Sequence, residues 1–213
     1  MNSSSILAYQ ELIEILDMEF KNNKAGKRIF IAIAGAPASG KSTISVKISD
    51  DINKRGHVSQ VLQMDGFHFD DGILTQKGLL KKKGAPETFD VQGLKNCLYR
   101  LRTEGEVVVP IFDRTLEVSR SSASIIDKET KIIFIEGNYL LLNSEPWSQL
   151  KDYYDYSIML HCDEKTLEQR LIERWKGFKL NEEQIKYKVY ESDLPNGVQV
   201  IKNSTKATFI LQN

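Results

Sequence analysis

Cysteine and histidine are scarce in this chain: of 213 residues, two are cysteine and three are histidine. Cys97 and Cys162 stand alone, so they form neither a disulfide framework nor a paired metal-ligand spacing, and both are expected as free thiols in apolar surroundings. A surplus of charge of one sign is missing too. Lys plus Arg and Asp plus Glu each number 29, so no overall field draws the chain to nucleic acid or to an anionic membrane. Binding of small anions then has to come from local geometry. No apolar run is long enough to span a bilayer, and the start Met1-Asn2-Ser3-Ser4-Ser5 has neither the basic residues nor the apolar stretch of a signal peptide. A soluble, cytoplasmic protein is the expectation. Internal repeats and low-complexity segments are absent, and the length suits one α/β domain over residues 1–213.

Against these absences, Gly35-Ala36-Pro37-Ala38-Ser39-Gly40-Lys41-Ser42, followed by Thr43, has the G-x-x-x-x-G-K-[ST] spacing of a phosphate-binding P-loop. The apolar, β-branched residues 28–34 before it suit a buried central strand, and Ile44, Ile48 and Ile52 after it repeat at helical spacing. The glycines permit backbone angles that a Cβ forbids, so successive N–H groups can line a concavity for phosphate oxygens. The following helix adds its free N–H groups and its positive dipole end. Lys41 would reach the β- and γ-phosphates, and the Ser42 hydroxyl would ligate Mg²⁺.

In chain order, residues 5–23 carry Tyr9, Leu12, Ile13, Leu16 and Phe20 on one side, a helix that the serines before it would cap. That face suits a core beside the P-loop strand or an interface in a homodimer. Residues 58–64 read as a strand ending at Asp65, with a polar and aromatic loop after it, and residues 75–88 as an exposed, mobile excursion in which Lys81-Lys82-Lys83 are a solvated face. Asp90 suits an N-cap for a helix with Leu94, Leu98 and Leu101. Residues 107–114 make a short strand stopped by Pro110, residues 119–124 look like surface, and residues 131–137 form a buried strand whose first polar residue is Glu136. A strand over 153–161, a helix capped by Asp163, a helix over 181–192, a turn over 192–197 and a strand over 207–211 complete the pattern. Alternating strands and helices predict a doubly wound, mainly parallel sheet, the P-loop three-layer sandwich, with flanking helices and a short helical lid over about 164–195.

In such a sheet ligands gather beyond the carboxyl ends of the strands, which brings Asp65 and Glu136 to the edge that holds the P-loop. Phosphoryl transfer to a hydroxyl requires an acceptor for its proton as well as Mg²⁺ coordination, and these two acids can divide those tasks. Arg170 and Arg174 lie four apart on one helix face, where a lid would bring them over the phosphates; a solvated face is the competing reading. Arg114 either clamps the acceptor or pairs with Asp113. His68 either bonds an acceptor hydroxyl or is structural.

The P-loop, Met64-Asp65-Gly66-Phe67-His68, residues 83–90, Phe112-Asp113-Arg114, Glu136-Gly137-Asn138-Tyr139 and Asp193-Leu194-Pro195-Asn196-Gly197 together resemble the uridine kinase and phosphoribulokinase superfamily. Within it they resemble most the bacterial branch labelled fructose-transport-system kinase or pantothenate-kinase-like protein. The resemblance implies ATP- and Mg²⁺-dependent phosphorylation of a hydroxyl on a small-molecule acceptor. It implies Asp65 as base or metal neighbour, Glu136 near Mg²⁺, Arg170 and Arg174 as lid arginines, and an acceptor side over residues 66–90 with His68, Arg114, Glu136 and Asn138. Where uridine kinases carry Asp-x-Phe-Tyr, this chain has Asp65-Gly66-Phe67-His68, which weakens the nucleoside assignment; a sugar or sugar-like acceptor is the expectation, with a nucleoside or pantothenate as the alternative. The rival of another class is an ATP-binding regulatory protein with slow hydrolysis. No Asn-Lys-x-Asp segment reads guanine.

Overall fold

Every side chain of the strand Ile29–Gly35 is buried, because strands pair with both of its edges and helices cover both of its faces. The computed structural model describes residues 6–23, 26–178 and 180–212. In chain order, β1 (Ile6–Leu7) and α1 (Tyr9–Asn22) precede that strand, β2, which is followed by α2 (Lys41–Lys54) and β3 (Ser59–Gln63). Next come α3 (Asp71–Gln76), α4 (Val91–Thr103), β4 (Val107–Asp113), β5 (Val118–Ile126) and β6 (Ile132–Glu136). The chain then runs through β7 (Tyr156–His161), α5 (Glu164–Gly177), α6 (Glu182–Lys188), α7 (Leu194–Asn203) and β8 (Phe209–Gln212).

Six strands form one parallel sheet in the order β1-β8-β7-β2-β6-β3. The expected doubly wound parallel sheet is the observed one. On one face α1 and α2 bury Leu12, Leu16, Ile48 and Ile52 against Ile31 and Ile33; on the other, α4 and α7 cover Phe30 and Ala32 with Leu94, Leu98 and Val200. Odd and even residues of one strand thus serve two separate cores, as the period of two requires. The apolar face of α1, suited equally to a core or an interface, is taken up by the core. Ser3 to Ser5, expected to cap this helix, lie outside the described residues, and its observed N-cap is Ala8.

Helix starts follow the capping residues. Asp90 accepts from Gly93 N at 2.8 Å, Asp163 from Thr166 N at 2.9 Å, and Asn181 forms a capping box with Gln184.

Four local expectations need correction. Pro110 does not stop its strand: β4 runs through it to Asp113, with a register shift between Val109 and Ile111, because β4 sits in a separate two-stranded hairpin where a missing N–H is tolerated. Residues 119–124, expected only as surface, are exposed or half-buried but belong to its antiparallel partner β5, which lacks the buried alternation that would mark a strand in the sequence. Residues 192–197 are not a turn but the end of a π-helical segment, Val189–Asp193, and the start of α7, where Pro195 occupies the first turn and costs no hydrogen bond. Residues 75–88 fold back in short helical turns: Phe69 N donates to Thr88 O at 3.0 Å, and Lys83 turns inward while Lys81 and Lys82 stay exposed.

At the opposite edge of the sheet Asp17 of α1 gathers two cationic side chains and a histidine. Lys21 Nζ lies 2.8 Å away, His57 Nε2 2.8 Å and Arg55 Nη1 3.3 Å. The Lys21 hydrogen bond above all, then His57 and Arg55, pull its carboxyl from 3.8 to about 2. A depressed carboxyl adds stability above its unfolded value and loses it as pH falls through the folded one. Asp17→Asn is therefore expected to lower the urea midpoint at neutral pH, with the gap to wild type closing between about pH 4 and pH 2. A gap of constant size across that range would assign the effect to packing instead.

Candidate active site

The sheet brings four chain segments to one cleft of about 400 Å³ at the carboxyl ends of β2, β3 and β6. After β2 the chain turns sharply. A Cβ on Gly35 would come 2.7 Å from Ser39 Oγ and 3.1 Å from Leu160, so only glycine lets the loop cross β7 this closely. Gly40, at φ 90°, sets the left-handed step that aims the start of α2 at the cleft. Lys41 is buried and its Nζ donates to Ala36 O at 2.9 Å; burial pushes its ammonium down to about 8, against the attraction of Glu136 and Asp65.

Glu136 ends β6 opposite Ile33 of β2 and Gln63 of β3. It is only 3% exposed, yet Ser42 Oγ donates to its Oε1 at 3.2 Å. Burial, and then the nearby Asp65, raise its carboxyl above the usual range, while Lys41 and Ser42 oppose them. Asp65 follows Gln63 by two residues, in a 3₁₀ turn over Met64–Phe67, and accepts a short hydrogen bond from Arg114 Nη2. Arg114 thus pairs with Asp65; Asp113 is occupied by Arg120 at 3.2 Å.

His68 Nδ1 lies 3.0 Å from the Asp65 carbonyl, which can only accept, so Nδ1 carries the proton. Burial lowers the imidazole's pKa and keeps the ring neutral, leaving Nε2 as an acceptor. The ring packs 3.9 Å from Phe89 and 4.9 Å from Phe112, centroid to centroid. Asn138 lines the cleft beside Glu136, as do Ala38 and Thr43 of the loop. From α5, Arg170 Nη1 reaches Ser39 O at 3.5 Å, and Arg174 joins it in the same wall.

Asp65, His68, Arg114, Glu136, Asn138, Arg170, Arg174 and loop residues 37, 38 and 40–43 therefore line one cleft, whereas Gly35, Ala36 and Ser39 of the loop are buried and do not line it. Other residues of the cleft had no role from the sequence: Lys83, Phe89, Phe112 and Asp193 lie within the longer motifs, and Trp175 and Lys188 lie in none. Tyr139 was quoted only as part of a motif; its hydroxyl donates to Gly84 O at 2.5 Å and ties the loop carrying Lys83 to the strand carrying Glu136.

This geometry is one of phosphate binding with acids in reach, and the sequence model of the Phosphoribulokinase / Uridine kinase family matches residues 30–178. The chain belongs to that family. It is a P-loop kinase, a phosphotransferase of small molecules, in a family that uses ATP with Mg²⁺. YggC of Escherichia coli (strain K12), itself described as uncharacterized, is 31% identical over 188 residues, covering 87% of this chain and 78% of its own. The pantothenate kinase of Lactococcus lactis (strain IL1403) is 32% identical over 69% of this chain, which spans 49% of that enzyme's length. A crystal structure from Silicibacter sp. TM1040, provisionally named a fructose transport system kinase, superposes with a TM-score of 0.90 at 33% identity, covering 97% of this chain and 99% of that one. Among the described residues of this family member, no helix is long and apolar enough to cross a membrane.

Tyr139→Phe removes the donor to Gly84 O, and a loss of about 1 kcal/mol in urea unfolding is expected. An unchanged unfolding midpoint would show that the loop is held without this hydroxyl.

Proposed function

We propose that this kinase transfers the γ-phosphoryl group of ATP to a hydroxyl of a sugar or sugar-like metabolite, and that residues 1–213 act as one catalytic domain with residues 164–195 as its lid. The observation that carries the reading is that Asp65 and Glu136, from neighbouring strands, open on the same cleft as Lys41 and Ser42. The residues present fit a magnesium nucleotide: a hydroxyl next to a buried carboxylate offers hard oxygen ligands, and Mg²⁺ needs few from the protein when phosphates and water supply the rest. Ser42 and Glu136 would hold that ion, with Asp65 near it. Bound there, the ion would neutralise charge on the phosphates.

The chain's own groups perform the remaining work. The amides of residues 35–43 cradle the phosphates, and Lys41 reaches over them. Asp65 accepts the acceptor's hydroxyl proton, and Arg114 orients that carboxylate. Neutral His68 offers Nε2 as an acceptor, so it binds a second hydroxyl of the acceptor rather than an anion. Arg170 and Arg174 stabilise charge on the transferring group. The aromatic wall of Phe89 and Phe112 suits the apolar face of a sugar ring.

ATP consumption with Mg²⁺ against sugars, sugar phosphates, nucleosides, pantothenate and glycerate tests this, with Lys41→Ala as the blank. A sugar that stimulates turnover is expected; stimulation by pantothenate or a nucleoside alone would reassign the acceptor, and slow hydrolysis indifferent to all of them would favour a regulatory protein. With the stimulating acceptor, Asp65→Asn is expected to lower kcat about 10²- to 10⁴-fold, the range of a general base. Wild-type turnover in a folded Asp65→Asn protein would remove Asp65 from that role.

A further inference from the structure

The lid wall of the cleft contains a polar contact that the reaction as described does not use. Trp175, on α5 directly after Arg174, donates its indole N–H to Asp193 Oδ2 at 2.7 Å. Asp193 closes the π-helical segment Val189–Asp193, a wide turn that is rare and concentrated at functional sites. It is also the residue before α7, and α7 is packed on the phosphate loop: a Cβ on Gly197 would stand 3.3 Å from Ala36 Cβ and 3.6 Å from Pro37 Cδ. Asp193 therefore joins the lid helix to the element that backs the P-loop. The Trp175 ring in turn carries two cations, the Arg174 guanidinium at 5.3 Å and the Lys188 ammonium at 5.2 Å from its centroid. All four side chains line the cleft.

We propose that Asp193 is a positioning residue that, by accepting the Trp175 indole N–H, fixes the lid so that Arg174 and Lys188 stay directed at the terminal phosphate of the nucleotide. The proposal rests on the kinase reading and adds to it a link between P-loop and lid. Its chemistry is that of a half-buried acceptor with one indole donor. Burial raises the Asp193 carboxyl, and the Trp175 bond, then Arg174 and Lys188, counter that only in part. A ring fixed at its N–H keeps its faces where the cations sit. An indole free to rotate would let both swing toward solvent.

The test is binding of MgATP and MgADP, measured by calorimetry on the full chain, with no acceptor needed. Trp175→Phe keeps an aromatic face but removes the N–H, and Asp193→Leu removes the acceptor. Each is expected to weaken MgATP about tenfold, the scale of a hydrogen bond to a charged group, and MgADP less. The double variant is expected to be no weaker than the worse single one, since the two changes remove one interaction. In wild type, MgATP should also shift the tryptophan emission, because Trp175 lines the cleft whereas the other tryptophan, Trp147, is buried behind Phe89. Equal losses for MgATP and MgADP, additive losses in the double variant, or a silent Trp175→Phe beside a damaging Asp193→Leu would each overturn the proposal; the last would mean that Asp193 meets the ligand itself. Arg174→Ala separates this from the parent reading. If it weakens MgATP while Trp175→Phe does not, only the positioning role falls, and if wild type binds no MgATP, the kinase reading falls with it.

Discussion

Two opposite charges buried at one strand–helix junction constrain the rest of the molecule. Lys41 and Glu136 are 7% and 3% exposed, and neither position is tolerable for an isolated ion. Each is kept by what the fold sets around it: the Ala36 carbonyl for Lys41, the Ser42 hydroxyl for Glu136, and their mutual attraction. These partners exist only if β2 and β6 are adjacent, parallel and in the register that sets Ile33 against Glu136. A slip of one residue would turn Glu136 into the apolar layer under α4 and α7. The same register that makes the sheet's two cores therefore makes the phosphate site.

The proposed acceptor side is built by a second device. The β4–β5 hairpin lies outside the main sheet, and its end places Arg114 on Asp65 while Ser119 Oγ donates to Gly66 O. Gly66 has no alternative there, since a Cβ would come 2.7 Å from the Pro110 carbonyl oxygen. Tyr139 then holds the Lys83 loop from below. The proposed acceptor pocket is thus a seam between the rigid sheet and an appended hairpin. Changes in such a seam would leave the phosphate loop untouched.

The proposed lid follows a third pattern. Leu171, Ile185 and Val189 form a small core of their own with Ala38 and Leu194 packed against it, so α5, which bears Arg170 and Arg174, packs on the phosphate loop as well as on α6. Polar contacts cross the same boundary: Arg170 to the Ser39 carbonyl and Trp175 to Asp193.

Much of this was legible in the sequence because its signals are local. Glycines 35 and 40 mark a loop that other residues cannot form, β2 reads as an unbroken apolar run, and Asp65 and Glu136 follow apolar strands as their first acids. Periodicity and turn chemistry therefore determined the doubly wound sheet, the phosphate loop and the two acids at its edge. What the sequence did not mark are features whose cause lies far away in the chain. Residues 119–124 are a strand only because β4 is beside them, residues 192–197 are helical because α7 has the P-loop to pack on, and Lys83 faces inward because the carbonyl of Glu117, 34 residues later, takes its ammonium. Trp175 and Asp193 are likewise 18 residues apart and meet only through a π-turn. Local backbone preference decides elements, whereas long-range pairing decides which of their side chains share a cleft, and that information exists only once the chain is folded.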